Sequence, residues 1–348
     1  MRIKALFTAA MLGMAATAAT VAGLAALAEY RRSAAADVAG ELTSMTAAML
    51  RLTEQLTIER GNYVSRMGNA APAGADVIGR LEALARETDA TLQAVLAAMR
   101  TARVPAEQLR TFEAFGTDLA GLRTAVLAAT QRPLQHRDPA LRTRPQEVFD
   151  RISAEVTRAM DAAHGTVAAT DGAVGNLLLV ARTVWDLREQ GSRRIVPLSI
   201  AFNNSRQIAA AELEAIMAAH RGMELSWDRA RTLARLVGNP PRLAAAIAET
   251  DRVLADINRR TLEAVEAGRR GGNYGITQAQ FDEISTAGLQ RLLAVREAAL
   301  EEALALAAEH ADTAGRNLVL VGLAATAVLA LLAGLGLLLV RRVVLPVE

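Results

Sequence analysis

Residues 38–67 read VAGELTSMTAAMLRLTEQLTIERGNYVSRM, and the spacing of their apolar positions decides the fold class. From Val38 the positions run Leu42, Met45, Met49, Leu52, Leu56, then Tyr63 and Met67, in steps of three and four. An α-helix repeats every 3.6 residues, so these steps place one apolar seam along one helical face. The seam is interrupted once. At position 59 it calls for an apolar residue and the chain supplies Glu59, followed by Arg60 and Gly61.

Outward from this stretch almost everything repeats the pattern. Gly68, Pro72 and Gly74 end the first helix with turn residues. A second helix is expected over 76–100, and a third from Pro105, which suits a first helical turn, to 131. Residues 132–145 hold three prolines without apolar periodicity and read as a loop. Helix resumes over 146–202, with a break near 172–175, and continues over 203–237. Asn239-Pro240-Pro241 makes a stop and a fresh start, the next helix runs to 267, and 268–275 is a glycine-rich turn. A last helix from Thr277 continues into the C-terminal apolar run. No stretch shows sustained strand alternation, so the class is all-α. The helix over 33–67 alone would be about 50 Å long at 1.5 Å per residue. Helices of that length suggest two four-helix bundles stacked along the membrane normal.

The membrane enters through two uncharged apolar runs, 5–28 and 318–340, each longer than the roughly 20 residues that cross a bilayer. They divide the chain into a short tip with a first transmembrane helix (1–29), a charged insert (30–316), a second transmembrane helix (317–340) and a short tail (341–348). Ala26-Leu27-Ala28 resembles a signal-peptide cleavage site, but the apolar run exceeds the usual core of such peptides and reads better as an uncleaved anchor. Arg341 and Arg342 follow the second run, whereas only Arg316 sits close before it. Positive residues stay on the cytoplasmic side, so both termini are expected inside and the insert in the periplasm of a bacterial inner membrane.

Composition narrows the functional classes. Lys4 is the only lysine among 39 basic residues, net charge is +2 and aromatics make up 3 %. No basic face is interleaved with aromatic platforms, so nucleic-acid binding is not expected. With no cysteine, thiolate metal sites and disulfides are excluded. His136, His164, His220 and His310 are scattered without metal spacing, no phosphate loop follows a strand, and no serine has a recognisable partner pair. Neither a catalytic residue, a metal nor a cofactor is expected.

A second interruption lies before Phe202. The seam there runs Leu177, Val180, Val184, Leu187, Gly191, Arg194, Leu198 and Phe202, which puts Gly191 and Arg194 at core-type positions. Pro197 cannot bond the carbonyl of Arg193. A charge on a core stripe is costly unless paired. If Glu59, Arg60 and Arg194 met inside one bundle, two guanidinium groups would face one carboxylate, and a small monovalent anion would balance them. The plainer alternative pairs Glu189 with Arg193 at i,i+4 and makes Arg194 part of a solvated surface.

These residues also carry a resemblance. LTEQLTIERG at 52–61 resembles the first signature of the nitrate- and nitrite-sensing (NIT) domain family, and LREQGSRR at 187–194 resembles the second. A third stretch, 281–286 with 289–292, resembles the helix that leads to the membrane. The resemblance implies a periplasmic, all-helical sensor of a chemoreceptor or sensor histidine kinase, built from two four-helix bundles, with ligand arginines at positions matching Arg60 and Arg194. It also implies a homodimer. Tyr63 stands where the family has small residues and would narrow the pocket. Arg193 replaces a Glu and would favour a larger or more negative anion, and Phe281 replaces a Trp. Residues 341–348 resemble the opening of a HAMP linker, with the cytoplasmic signalling module absent from this chain. The expected ligand site is therefore Glu59, Arg60, Tyr63, Gly191, Arg193 and Arg194. The competing expectation is a membrane-tethered helical spacer or interaction module without a small ligand.

Overall fold

The computed structural model describes residues 2–69, 71–339 and 341, and among them it is all-α, without a strand. Eight α-helices follow one another: α1 (Arg2–Gly68), α2 (Ala75–Thr101), α3 (Ala106–Thr130), α4 (Ala140–Thr170), α5 (Gly172–Asn203), α6 (Ala210–Leu236), α7 (Pro241–Arg270) and α8 (Gln278–Leu339). A short 3-10 turn covers Leu134–His136. Of the resemblance to a HAMP opening, all but Arg341 lies outside the described residues.

The chain divides into two compact units, one formed by its ends up to Gly40 and from Ala305, the other over Glu41–Leu304. In the first, Met14, Val21, Leu24 and Leu27 of α1 and Val319, Leu320, Leu323 and Leu331 of α8 all stand exposed. The stretch Gln290–Leu338 of α8 is long and apolar enough to cross a membrane. Hydroxyls within these apolar runs donate to carbonyls of their own helix: Thr17 to Gly13, Thr20 to Ala16 and Thr326 to Gly322, each at 2.9 Å. That pairing leaves these three hydroxyls without need of water.

In the second unit the seam of α1 is buried as its spacing requires: Met45, Met49, Leu52, Leu56, Tyr63 and Met67 are all nearly inaccessible. Side-chain ties fall into two sets. Glu59 (α1), Asp89 (α2) and Arg123 (α3) meet, and Arg60 (α1) pairs with Asp150 (α4). Arg194 (α5) bonds His220 (α6) and Asn258 (α7), and Arg260 (α7) pairs with Glu283 (α8). Between the sets, Glu54 (α1) pairs with Arg296 (α8) and Asp161 (α4) with Arg182 (α5).

Helix ends differ from the sequence expectation in two places. The loop expected over 132–145 is already helical from Ala140, with Pro145 inside the helix and buried. Asp138 starts α4 by accepting from the Ala140 N–H at 2.9 Å, so the first turn is organised before the proline is reached. The helix expected over 203–237 begins only at Ala210. The segment before it turns at Ser205 (φ 47°) and is held by a neighbouring loop. There Ile208 N–H donates to the Gly268 carbonyl at 3.1 Å and the Tyr274 hydroxyl to the Arg206 carbonyl at 2.8 Å. Gly272 lies so near the Ser205 carbonyl that any Cβ would collide with it. Below this junction Phe202 stacks on Phe281 with ring centres 4.5 Å apart.

Side chains cap the end of α1 and the start of α5. Arg137, almost wholly buried, donates to the carbonyls of Arg66 at 2.9 Å, Met67 at 3.0 Å, Ala71 at 3.1 Å and Arg132 at 2.9 Å. It thereby satisfies carbonyls that the end of α1 leaves open. Asp171 breaks α4 from α5 and accepts from Ala173 N–H at 3.2 Å and Val174 N–H at 3.1 Å. Asp171→Ala is expected to cost about 1 kcal/mol, and Asp171→Asn much less, in chemical denaturation followed by circular dichroism.

Candidate functional site

The residues expected to form one site are distributed over three places. Glu59 is fully buried and receives a side-on fork from Arg123, with Nε to Oε1 at 2.7 Å and Nη2 to Oε2 at 3.0 Å. Arg123 also donates to Asp89 at 2.6 Å and to the Ala85 carbonyl at 3.2 Å. Burial works against its charge, but the hydrogen bonds to Glu59 and Asp89 hold its basicity above the usual arginine range. Tyr63 is fully buried next to this pair, with its ring centre 6.2 Å from that of Phe149. Burial, then the Glu59 carboxylate, push its phenol well above its ordinary value. This cluster is a closed carboxylate–guanidinium lock, and Glu59 therefore has no charge to share with Arg60 or Arg194.

Arg60 faces the other way. It donates to Asp150 at 2.9 Å and lies 3.9 Å from Glu189, which is 3.8 Å from Arg193. Arg60 and Arg193 line one cleft of about 530 Å³, together with Arg182, Trp185, Asp186 and Glu189. Three arginines there face Asp150, Asp186 and Glu189, so the cleft walls are balanced in charge.

Arg194 is elsewhere. Its side chain is 2 % exposed, and its Nη1 donates to Asn258 Oδ1 at 2.5 Å and lies 3.1 Å from His220 Nδ1. No carboxylate pairs with it among the described residues, its Nε is buried without a partner, and burial alone pulls its pKa down to about 10. Arg60 and Arg194 share no partner among the described residues, which corrects the expectation that Glu59, Arg60 and Arg194 meet. Gly191 is buried within α5, one turn before Arg194.

Sequence reasoning missed a fourth cluster. Arg188 of α5 and Arg296 of α8 both lie over the indole of Trp185, with guanidinium carbons 5.0 and 6.0 Å from the ring centre. Arg296 is 3 % exposed and donates to Glu54 at 2.8 Å and to Glu297 at 2.7 Å. Glu297 also accepts from Arg51 at 2.9 Å. Against the pull of burial, the bonds from Arg51 and Arg296 keep its carboxyl below the usual range. Arg188 has no such partner. Arg188 as a whole is half-buried, but its Nε and Nη1, like the Nη1 of Arg296, are buried and have no hydrogen-bond partner among the described residues. Burial lowers the basicity of Arg188; Glu54 opposes the fall and Arg296 adds to it.

A signal for Arg296 was present in the sequence. Leu292, Val295, Ala299, Leu300, Ala303 and Ala307 form a buried seam on α8, and Arg296 sits one turn from both Leu292 and Leu300. Arg188 adjoins the seam residue Leu187, but its lack of a partner depends on where Glu54 and Glu189 point, which no local pattern encodes.

Among the described residues no group of His, Asp or Glu is placed to hold a metal ion. No protein-family model, no curated protein and no solved structure matches the chain.

Two outcomes follow from the geometry. Glu59→Ala takes from Arg123 its buried carboxylate, leaving the half-exposed Asp89, and is expected to cost about 3 kcal/mol in urea denaturation, whereas Glu59→Leu with Arg123→Met recovers most of that loss. His220 is held below its ordinary 6.5 by burial and then by Arg194. A histidine that stays neutral in the fold but gains a proton when unfolded weakens the fold as pH falls. Melting temperature should therefore drop below about pH 6.5, and His220→Gln should flatten that part of the profile.

Proposed function

We propose that this chain is the input half of a transmembrane receptor, a chemoreceptor or sensor kinase, whose periplasmic helical insert senses a small anion. The observation that carries the reading lies on α5. Two of its arginines, the buried Arg194 and the half-buried Arg188, hold buried guanidinium nitrogens with no carboxylate partner among the described residues. A guanidinium in that position is costly unless something compensates its charge. A diffusible anion supplies that compensation and, by binding the folded insert alone, stabilises it.

The rest of the reading is consistent with this core. The two sets of ties, α1 to α4 and α5 to α8, fit two four-helix bundles stacked between two membrane helices, the second being the apolar end of α8. The resemblance of residues 52–61 and 187–194 to the signatures of the NIT family makes nitrate and nitrite the first anions to try. Pairing of the membrane helices in a homodimer, and a signalling module continuing from a HAMP linker after Arg341, complete the proposal. A ligand can drive such a receptor only through different affinities for two arrangements of the helices.

The test uses the whole chain in lipid nanodiscs, titrated with nitrate, nitrite and formate at constant ionic strength. A saturable rise in melting temperature is expected, equivalent to about 2.7 kcal/mol at a hundredfold excess over Kd. A flat response to all three anions would leave the chain as a membrane-tethered helical spacer.

A further inference from the structure

Two arginines of α5 lack a carboxylate, but they are not equally deprived. Arg194 has two neutral acceptors, Asn258 at 2.5 Å and His220 at 3.1 Å. Arg188 has no acceptor at all on its buried Nε and Nη1. Its nearest chain neighbour of opposite charge, Glu189, lies within pairing distance of Arg60 and Arg193 instead. Across the Trp185 ring the second guanidinium, Arg296, also keeps one buried nitrogen free, although its Nη2 and Nε are bonded to Glu54 and Glu297.

Charge around the indole is uneven in the same sense. Arg296 is answered by Glu54 and Glu297, and Arg51 by Glu297, whereas no carboxylate pairs with Arg188 among the described residues. The alternatives fit less well. The cleft bearing Arg60 and Arg193 has matched walls, and beside Glu59 every Arg123 nitrogen is bonded, so the one open donor there is the neutral Tyr63 hydroxyl.

We infer that the seat of the anion is the Arg188–Trp185–Arg296 cluster between α5 and α8, and that it takes a small monovalent oxyanion. This rests on the anion-sensing reading above and names its site. Free N–H donors on two guanidinium groups suit oxygen acceptors. A single negative charge is enough to answer Arg188, the member of the cluster that no carboxylate pairs with among the described residues. The indole is a flat apolar wall that both cations already use, and it excludes water from the bonds they form. Residues matching the family signatures then hold the surrounding helices: Arg60 through Asp150, and Arg194 through His220 and Asn258.

The cluster also gives binding a consequence. Arg296 belongs to α8, the helix that continues to Leu339, and its carboxylate partner Glu54 belongs to α1. An anion on the open Nη1 of Arg296 sets a second negative charge beside Glu54, which is held by Nη2, so occupancy weakens a tie between α1 and α8 by repulsion. Packed helices respond to such repulsion by moving between discrete arrangements.

The experiment compares the whole chain with Arg188→Met, Arg194→Gln and Arg60→Ala in nanodiscs, each titrated with nitrate and formate at constant ionic strength. Nitrate affinity is expected to fall at least about tenfold in Arg188→Met, the loss of a charge-assisted contact, and to stay within about twofold in Arg60→Ala, whose guanidinium is held by Asp150. In anion-free buffer Arg188→Met should melt above the parent, because an unanswered buried charge has been replaced by an apolar side chain of similar length. A second readout does not depend on that variant. With Trp227→Phe, Trp185 is the only tryptophan left, and nitrate should change its emission with the same midpoint as the melting curve. Parent-like affinity in Arg188→Met, or silent Trp185 emission while the protein still binds nitrate, overturns this seat but leaves anion sensing standing. Loss confined to Arg194→Gln moves the seat to the His220–Asn258 pocket and likewise overturns it. Failure of the parent itself to bind either anion removes the functional reading, and this inference with it.

Discussion

A guanidinium group inside closely packed helices must find oxygen acceptors, and the architecture of the unit over Glu41–Leu304 follows from how far each buried arginine succeeds. Arg137 finds four backbone carbonyls and fastens the end of α1 to the loop before α4. Arg123 finds two carboxylates and a carbonyl and so fixes α1, α2 and α3 together. Arg296 is matched except for one nitrogen, Arg194 has only neutral partners, and Arg188 has none. The chain has few aromatic residues to fill space, so long arginine stems take part of that role while their heads are drawn to whatever polar groups lie within reach. The matched arginines hold the fold in register. The unmatched ones work against it.

Much of this fold can be read from sequence, because helices declare themselves through local spacing. The seam from Leu42 to Met67, the stop at Asn239-Pro240-Pro241 and the break between α4 and α5 all depend on residues within a turn or two of each other. The exceptions depended on distant groups. Residues 204–209 have helix-compatible side chains, yet they bend because the loop carrying Gly272 and Tyr274 presses on them from some 60 positions away. Pro145 reads as a breaker until Asp138 and burial are seen to sustain the turn around it.

The site was legible only in part, for the same reason. Glu59 and Arg194 could be flagged because each breaks an apolar seam on its own helix, and both are buried. Which partner each would meet is a matter of tertiary register: Glu59 meets Arg123 from α3, and Arg194 meets α6 and α7. A seam shows that a charge goes inside. It does not show what answers it. Arg188 escaped notice because it adjoins the seam without breaking it, and because a missing partner leaves no mark on the local sequence.

The distribution of matched and unmatched charge bears on how such a molecule could signal. A receptor whose buried charges were all answered would be more stable, but it would offer a ligand nothing to complete and would gain little from binding one. On the proposed reading, a cation without a counter-charge makes the unliganded arrangement the costlier one, and the free energy of anion binding would be what shifts the packing around it. The position of that cation decides which packing shifts. Arg188 itself sits on α5, within the insert, but it shares Trp185 with Arg296, and Arg296 is tied to Glu54. Glu54 and Arg296 lie on α1 and α8, the two helices that carry the apolar ends of the chain. Arg123 also reaches α1, through Glu59, but its guanidinium is fully bonded there, so it holds that helix without an open donor.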